Sequence, residues 1–276
     1  MLCRVLGISP AGYYARRRRD ESARSVRDRE LTVHIRAIHS RSRGTYGSPR
    51  VHAELVIKGE RVGRKRIERL MVAEGLRGLA PKKRSPSGMP STVEPPAGNV
   101  LARSFHAERP NEVWTTDITQ IQTWQGWLYI AVVLDLFSRR VVGWAVADER
   151  PAALVVRALD MALARRAPPR GLLIHSDRGS QYTSAEYLAQ LAKHGIDCSF
   201  SRKGDCHDNA VTEAFFASLK KESLHRRTWA TRTQAADEVA SYIEAFYNPV
   251  RLHSALGYSS PIDFERRMAE HQTLAA

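Results

Sequence analysis

EVWTTDITQI, WLYIAVVLD and RRVVGWAVA follow one another between Glu112 and Ala147 with only a few residues between them. Runs this rich in Val, Ile, Trp and Thr, with bends at Gln125-Gly126 and Phe137-Ser138, predict three strands joined as an antiparallel meander. An alternating pattern follows. From Pro151 to about Arg166, Leu154, Val155, Ala158, Met161 and Ala162 recur at helical spacing. GLLIHSD is apolar enough for a strand buried on both faces. SAEYLAQLAKHG reads as a helix capped by Ser184 and stopped by Gly195. DCSFS is a short fifth strand, and DNAVTEAFFASLKKESL and RTQAADEVASYIEAFYN are two closing helices. Three hairpin strands, then helix, strand, helix and strand, predict an α/β fold: a mixed five-stranded sheet with flanking helices.

In such a sheet the first and fourth strands are neighbours. Asp117 lies in the first, between Thr116 and Ile118, and Asp177 ends the fourth. Glu213 lies in the helix after the fifth strand, with 35 residues between it and Asp177. That length holds one helix, one short strand and their loops, so the three acids can converge. Converging carboxylates repel unless a cation compensates. All-oxygen ligation selects Mg²⁺ or Mn²⁺. Two such ions about 4 Å apart activate an attacking hydroxyl and stabilise the leaving oxygen of a phosphodiester. Taken singly, an Asp at a strand end is more often a cap and a Glu in a helix more often a surface residue. Glu222, nine residues after Glu213, is a rival third ligand. Asp135 could join the cluster, but a structural role in the turn before Ser138 is preferred. His175 is read as a packed core histidine, and Asn209 as a helix cap. Lys220 shares a helix face with Glu213, an arrangement that suits a metal beside a phosphate strand and equally an ion-paired surface.

The amino-terminal part has a different texture. Residues 1–110 contain 24 Lys and Arg against 10 Asp and Glu, whereas residues 111–276 contain 19 of each. The whole formal charge of +14 therefore sits in the first 110 residues, which points to a polyanion as partner. Residues 1–27 read as a basic arm containing Arg16, Arg17, Arg18 and Arg19, which are either a solvated helix face or a phosphate-contacting arm. Leu31, Ile35 and Ile38 mark a helix from Asp28 to Ser40. A second helix is expected from Ser48, as its cap, to Gly59, with Val51, Leu55 and Val56 as its apolar stripe. A third follows to Gly75, with Ile67, Leu70 and Met71 inward and Arg64, Lys65, Arg66 and Arg69 on the remaining surface. Two short helices joined by a tight turn, the second strongly basic, suggest a helix-turn-helix over 28–80. Residues 81–107, rich in Pro, Ser and Gly, read as a linker to a core spanning 108–270.

WTTDIT, HSDRGSQY, DNAVTEAFFASLKKE and YNPVRLHSALGYSSPIDF, in this order, resemble the DDE transposases of the IS-three group of bacterial insertion sequences, specifically the second-reading-frame product. CRVLGISPAGYYARRRR and YGSPRVHAEL with VGRKRIERLMVAEGLRGL resemble that family's amino-terminal region. The resemblance implies a retroviral-integrase-type core with the ribonuclease-H-like fold. It assigns Asp117, Asp177 and Glu213 as catalytic metal ligands, so favouring Glu213 over Glu222, and implies cutting and joining of DNA ends through Mg²⁺. It further implies a first-frame protein as partner or fusion, and a homo-oligomer on DNA.

Two other classes compete. One is a DNA-binding regulator or inhibitory second-frame product without chemistry of its own. The other is a ribonuclease-H-type nuclease, against which the tail YNPVRLHSALGYSSP argues; Tyr247, Asn248, Arg251 and His253 there either contact DNA or pack the helix end. Cys3, Cys198 and Cys206 form no CxxC pair and are expected to be reduced thiols. No run of eighteen apolar residues occurs and no export signal is read, so a cytoplasmic, nucleoid-associated protein without membrane contact is expected.

Overall fold

The computed structural model describes residues 5–18, 20–79, 107–200 and 209–275. The expected linker, apart from Ala107, and Arg19, Cys3 and Cys206 lie outside the described residues. The chain divides after Gly78 into two compact units.

The first unit is helical: α1 (Pro10–Arg18), α2 (Ala23–Arg41), α3 (Ser48–Ile57) and α4 (Arg64–Ala73). Helix α2 begins five residues before the periodic stretch expected from Asp28. Its first turn carries no apolar stripe, and its start is fixed instead by Ser22, whose side chain accepts from the Ser25 amide. Leu31, Ile35, Ile38, Val51, Leu55, Ile67, Leu70 and Met71 form the core. Two expectations in α3 are corrected. Its cap is Gly47, with Ser48 already inside the helix and Pro49 in the first turn. A Cβ at Gly78 would stand 2.2 Å from the Gly47 nitrogen, so the two backbones meet there and position 78 has no room for a side chain. The inward stripe is Val51, Glu54 and Leu55, while Val56 is 50% exposed. Spacings of three and four place Glu54 on the inner face, where Arg41 and Lys58 neutralise it, and Val56 turns away.

The second unit holds the sheet, in the order β3-β2-β1-β4-β5. Strands β1 (Val113–Thr123), β2 (Gly126–Asp135) and β3 (Val141–Ala147) form the antiparallel meander, while β4 (Leu173–Ser176) and β5 (Asp197–Phe200) run parallel to β1. Helices α5 (Ala152–Arg166) and α6 (Ala185–His194) cover one face. Trp114, Ala131, Val133 and Val142 of the sheet pack there with Leu154, Val155, Ala158, Leu159, Tyr187 and Leu191. Leu159 is buried where Met161 was expected, and Met161 is half-buried. Gly143 lets α5 approach β3, since a Cβ there would lie 2.2 Å from the Ala158 carbonyl oxygen. Helix α7 (Ala210–Glu222) contacts β1, and α8 (Arg232–Ala240) continues as a π-helical stretch, Ser241–Tyr247. Helix α9 (Pro261–Ala275) brings Phe264 and Met268 against Val113, Leu136 and Phe137.

The carboxy-terminal tail packs. Asn248 pairs with both backbone groups of Val141, accepting from its amide at 3.0 Å and donating to its carbonyl at 2.9 Å. It thereby extends the hydrogen bonding at the start of β3. Tyr247 and Arg251 are buried, and His253 meets the Tyr247 ring edge-on. Asp135 is fully buried and structural, as preferred from sequence: its Oδ1 accepts from the Phe137 amide and its Oδ2 from the Asn111 amide.

Candidate active site

The register of β1 against β4 builds the site. Val113 pairs with Leu173, Trp114 with Ile174 and Thr115 with His175. Carried forward two residues, that register sets Asp117 across from Asp177, just past the end of β4. Adjacent strands lie about 4.8 Å apart, and residues two apart share a face. Asp117 is half-buried and Asp177 exposed. Each Oδ1 accepts from a nearby amide: Ile118 at 2.7 Å for Asp117, and Gly179 at 2.9 Å for Asp177. The second bond folds the loop after β4 back onto its own acid.

Helix α7 carries Glu213 to the same place. Its first turn is joined to β1 by Thr212, whose hydroxyl lies 2.7 Å from that of Thr115, and by Asn209, whose Nδ2 donates to the Thr116 carbonyl at 3.2 Å. Asn209 stands at the cap position but makes no capping hydrogen bond, against expectation. Its amide is engaged by β1 and by Thr212, at 2.8 Å. Glu213 follows Thr212 directly and is half-buried.

Asp117 feels the other two acids. Burial pushes the Asp117 carboxyl up to about 7. The Ile118 amide draws it down, Asp177 and Glu213 push it up again, and Arg150 draws it down. Asp117 and Asp177 also help burial to raise the Tyr182 hydroxyl well above its ordinary range. Lys220 belongs to the same neighbourhood: burial lowers its ammonium and Asp117 raises it. Arg150, in the turn before α5, was not anticipated from sequence, where DERP carries no signal beyond a turn. Gln181 donates to its carbonyl oxygen at 3.1 Å, and its guanidinium lies 5.9 Å from the Tyr129 ring centre.

Glu222, the rival third acid, is 5% exposed and fully engaged. Arg251 donates to Oε1 at 2.7 Å and Oε2 at 2.8 Å, and the Tyr242 hydroxyl donates to Oε2 at 2.8 Å. His175 is buried, with Nδ1 3.1 Å from the Ser199 hydroxyl, as expected of a core histidine.

Among the described residues, no three His, Cys, Asp or Glu side chains already stand in the geometry of a metal cage. The donor chemistry nevertheless fits a hard divalent cation. Three carboxylates from three elements repel one another, and a divalent charge is what draws such a set into one shell.

In the amino-terminal unit, Arg66 and Arg69 are tied up within the fold. Their guanidinium groups clasp Asp28 of α2 at 2.7 and 2.6 Å. Arg64 and Lys65, on the first turn of α4, are exposed, as are Arg16, Arg17 and Arg18 in the last turn of α1.

Comparisons with known proteins bear on the fold and the family. The family model for the Integrase core domain matches residues 107–206, a second Integrase core domain model matches 194–261, and the HTH-like domain matches 26–84. The HTLV-2 integrase catalytic core domain in complex with magnesium covers 58% of this chain and 99% of its own, at 16% identity and a TM-score of 0.46. Fold and family models define the class: a polynucleotidyl transferase with an integrase-type core, preceded by a helical domain of DNA-binding type. Transposase InsF for insertion sequence IS3A of Escherichia coli (strain K12) is 41% identical over 269 residues, covering 96% of this chain and 93% of its own. The insertion element IS600 31 kDa protein of Shigella sonnei is 39% identical over 274 residues, covering 99% and 100%. The chain belongs to the IS3 family of insertion-sequence transposases. Among the described residues no helix is long and apolar enough to cross a membrane.

Proposed function

We propose that this chain cuts and joins the ends of an insertion sequence at a DDE site formed by Asp117, Asp177 and Glu213. What supports the reading is the β1–β4 register, which sets Asp117 across from Asp177, together with the upward push that Asp177 and Glu213 exert on the Asp117 carboxyl. All three would hold Mg²⁺ or Mn²⁺, two ions per site. When bound, such a pair supplies Lewis-acid activation of the attacking oxygen and neutralises the leaving oxygen of the phosphodiester.

The protein's own contribution is placement. The β1–β4 register fixes Asp117 against Asp177, and the Asn209 and Thr212 contacts fix α7 on β1. Lys220 and Arg150 bring positive charge beside Asp117, where a phosphate strand would pass. The basic arm 1–27 and the region 28–80 hold the DNA ends, through Arg64, Lys65 and the Arg16–Arg19 run; Arg66 and Arg69 contribute less because Asp28 engages them. Charge of this sign on one part of the chain complements a polyanion. A homo-oligomer on DNA and a first-frame partner complete the reading, with the nucleoid as the place of action.

The test is a strand-transfer assay on candidate element ends with Mg²⁺. Asp117→Asn, Asp177→Asn and Glu213→Gln are each expected to abolish nicking and joining while DNA affinity is retained. Joining by any one at the wild-type rate refutes the site. Hydrolysis of generic RNA–DNA hybrids without joining would make the chain a nuclease instead.

A further inference from the structure

We propose that a buried hydrogen-bond chain, Tyr182–Thr116–Asn209–Thr212–Thr115, sets the spacing of the three acids, and that Thr212, which links α7 to β1 through its hydroxyl, is the positioning residue. The proposal rests on the reading of Asp117, Asp177 and Glu213 as metal-holding acids. It assigns a task to side chains that touch no substrate.

The direction of the chain follows from donor counting. Thr212 has one hydroxyl proton and two close oxygens, Asn209 Oδ1 at 2.8 Å and Thr115 Oγ1 at 2.7 Å. An amide oxygen only accepts, so the Thr212 proton goes to Asn209 and Thr115 donates to Thr212. Asn209 then spends its Nδ2 on the Thr116 carbonyl at 3.2 Å, and the Thr116 hydroxyl lies 3.2 Å from that of Tyr182. All five residues are buried, with Thr115 and Thr212 at 0% exposure. Water cannot substitute for a broken link there, so the links hold a single geometry.

Four of the five residues in the chain are tied to an acid, and Asn209 links them. Thr115 and Thr116 precede Asp117 on β1, and Thr212 precedes Glu213 on α7. Tyr182 closes the loop that begins at Asp177: its amide bonds the Gly179 carbonyl at 3.0 Å, and the Gly179 amide bonds Asp177. One polar thread therefore connects the backbone segments presenting all three carboxylates. Apolar side chains at these positions would pack the same elements without fixing their separation.

The experiment uses the full chain, with Mn²⁺ alone as probe, followed by titration calorimetry and by the paramagnetic signal of the free ion. Thr212→Val keeps the shape and removes both hydroxyl bonds; Thr212→Ser keeps the hydroxyl. Thr212→Val is expected to weaken Mn²⁺ binding about tenfold, as for loss of an outer-shell partner, and to raise the Mg²⁺ needed for half-maximal joining in proportion. DNA affinity should not change, and Thr212→Ser should restore Mn²⁺ affinity. Wild-type Mn²⁺ affinity in Thr212→Val, when Glu213→Gln has lost it, overturns the positioning role alone. Wild-type affinity in Glu213→Gln and Asp117→Asn as well removes the metal reading beneath it. If Thr212→Val does not fold, Tyr182→Phe removes one hydroxyl at the end of the thread. It should weaken Mn²⁺ binding too, and an unchanged affinity in folded Tyr182→Phe rejects the proposal.

Discussion

Glu213 and Glu222 lie nine residues apart on one helix and should fail in opposite ways. Glu222 and Arg251 are both 7% exposed at the side chain and joined through both carboxylate oxygens. Arg251→Met strips the fork and takes away the cation, leaving Glu222 the hydrogen bond from the Tyr242 hydroxyl. Removing one partner of a buried ion pair costs roughly 3–5 kcal/mol, because the other charge is left in a poor solvent. For a unit of this size each kcal/mol moves the melting temperature by about 2–4 °C, so a fall of roughly 6–20 °C is expected. The double variant Glu222→Leu/Arg251→Met should recover most of that loss, since an apolar pair needs no compensation. Glu213→Gln should keep the wild-type melting temperature, because it removes one of three mutually repelling acids, and should lose joining completely. Thermal unfolding by circular dichroism, with strand transfer measured well below each midpoint, checks both arms. An Arg251→Met midpoint at the wild-type value would refute the ion-pair reasoning. Joining by Glu213→Gln together with none by a folded Glu222→Gln would exchange the assignments.

Three further outcomes are expected. Arg64→Ala/Lys65→Ala should reduce the slope of log affinity for DNA against log salt by about 2, at about 0.9 for each phosphate that is no longer neutralised; Arg66→Ala or Arg69→Ala should change it less and instead lower the melting midpoint of the amino-terminal unit, because both clasp Asp28. Burial raises Glu265, but hydrogen bonds from Arg166, Ser138 and Arg140 and the charge of Arg166 outweigh it and hold the carboxyl below its ordinary value of 4.5. A depressed native value contributes stability above the unfolded value and loses it as pH falls through the native one, so the stability gap between wild type and Glu265→Gln, followed by urea unfolding, should begin to narrow near pH 4.5 and close below it. Gly143→Ala places a methyl group against the Ala158 carbonyl and should cost about 1–3 kcal/mol in the same assay.

The sheet was legible because its signals are local. Alternation and apolar runs gave five strands in the observed order, and Ser184 and Gly195 bound α6 as expected. Errors arose where one residue type serves two purposes. Val56 looked apolar and inward, but helical spacing put Glu54 there, with partners from α2 and from the end of α3. Asn209 looked like a cap, but its Nδ2 donates to β1, far away in sequence, and its Oδ1 accepts from the Thr212 hydroxyl. The choice between Glu213 and Glu222 could not be made from periodicity: both lie on α7, and the difference is Arg251, 29 residues downstream and reached only by folding. Arg150 gave no signal because its relation to Asp117 is one of charge across the fold, not of spacing.

Charge balance in the second unit explains why the three acids stand apart. Its buried carboxylates have cations built around them. Glu222 has Arg251, Glu265 has Arg140 and Arg166, and Asp135 has Arg166 together with two backbone amides. Residues 111–276 carry equal numbers of acids and bases, so cations spent on those structural pairs are not available elsewhere. Asp117 has the opposite surroundings: two more acids, with Lys220 and Arg150 as its positive neighbours. A hydrogen-bonded thread of neutral side chains joins the elements that carry them. On the proposed reading, a thread of that kind lets the three elements keep their spacing while the charge of the ion arrives and leaves with the product.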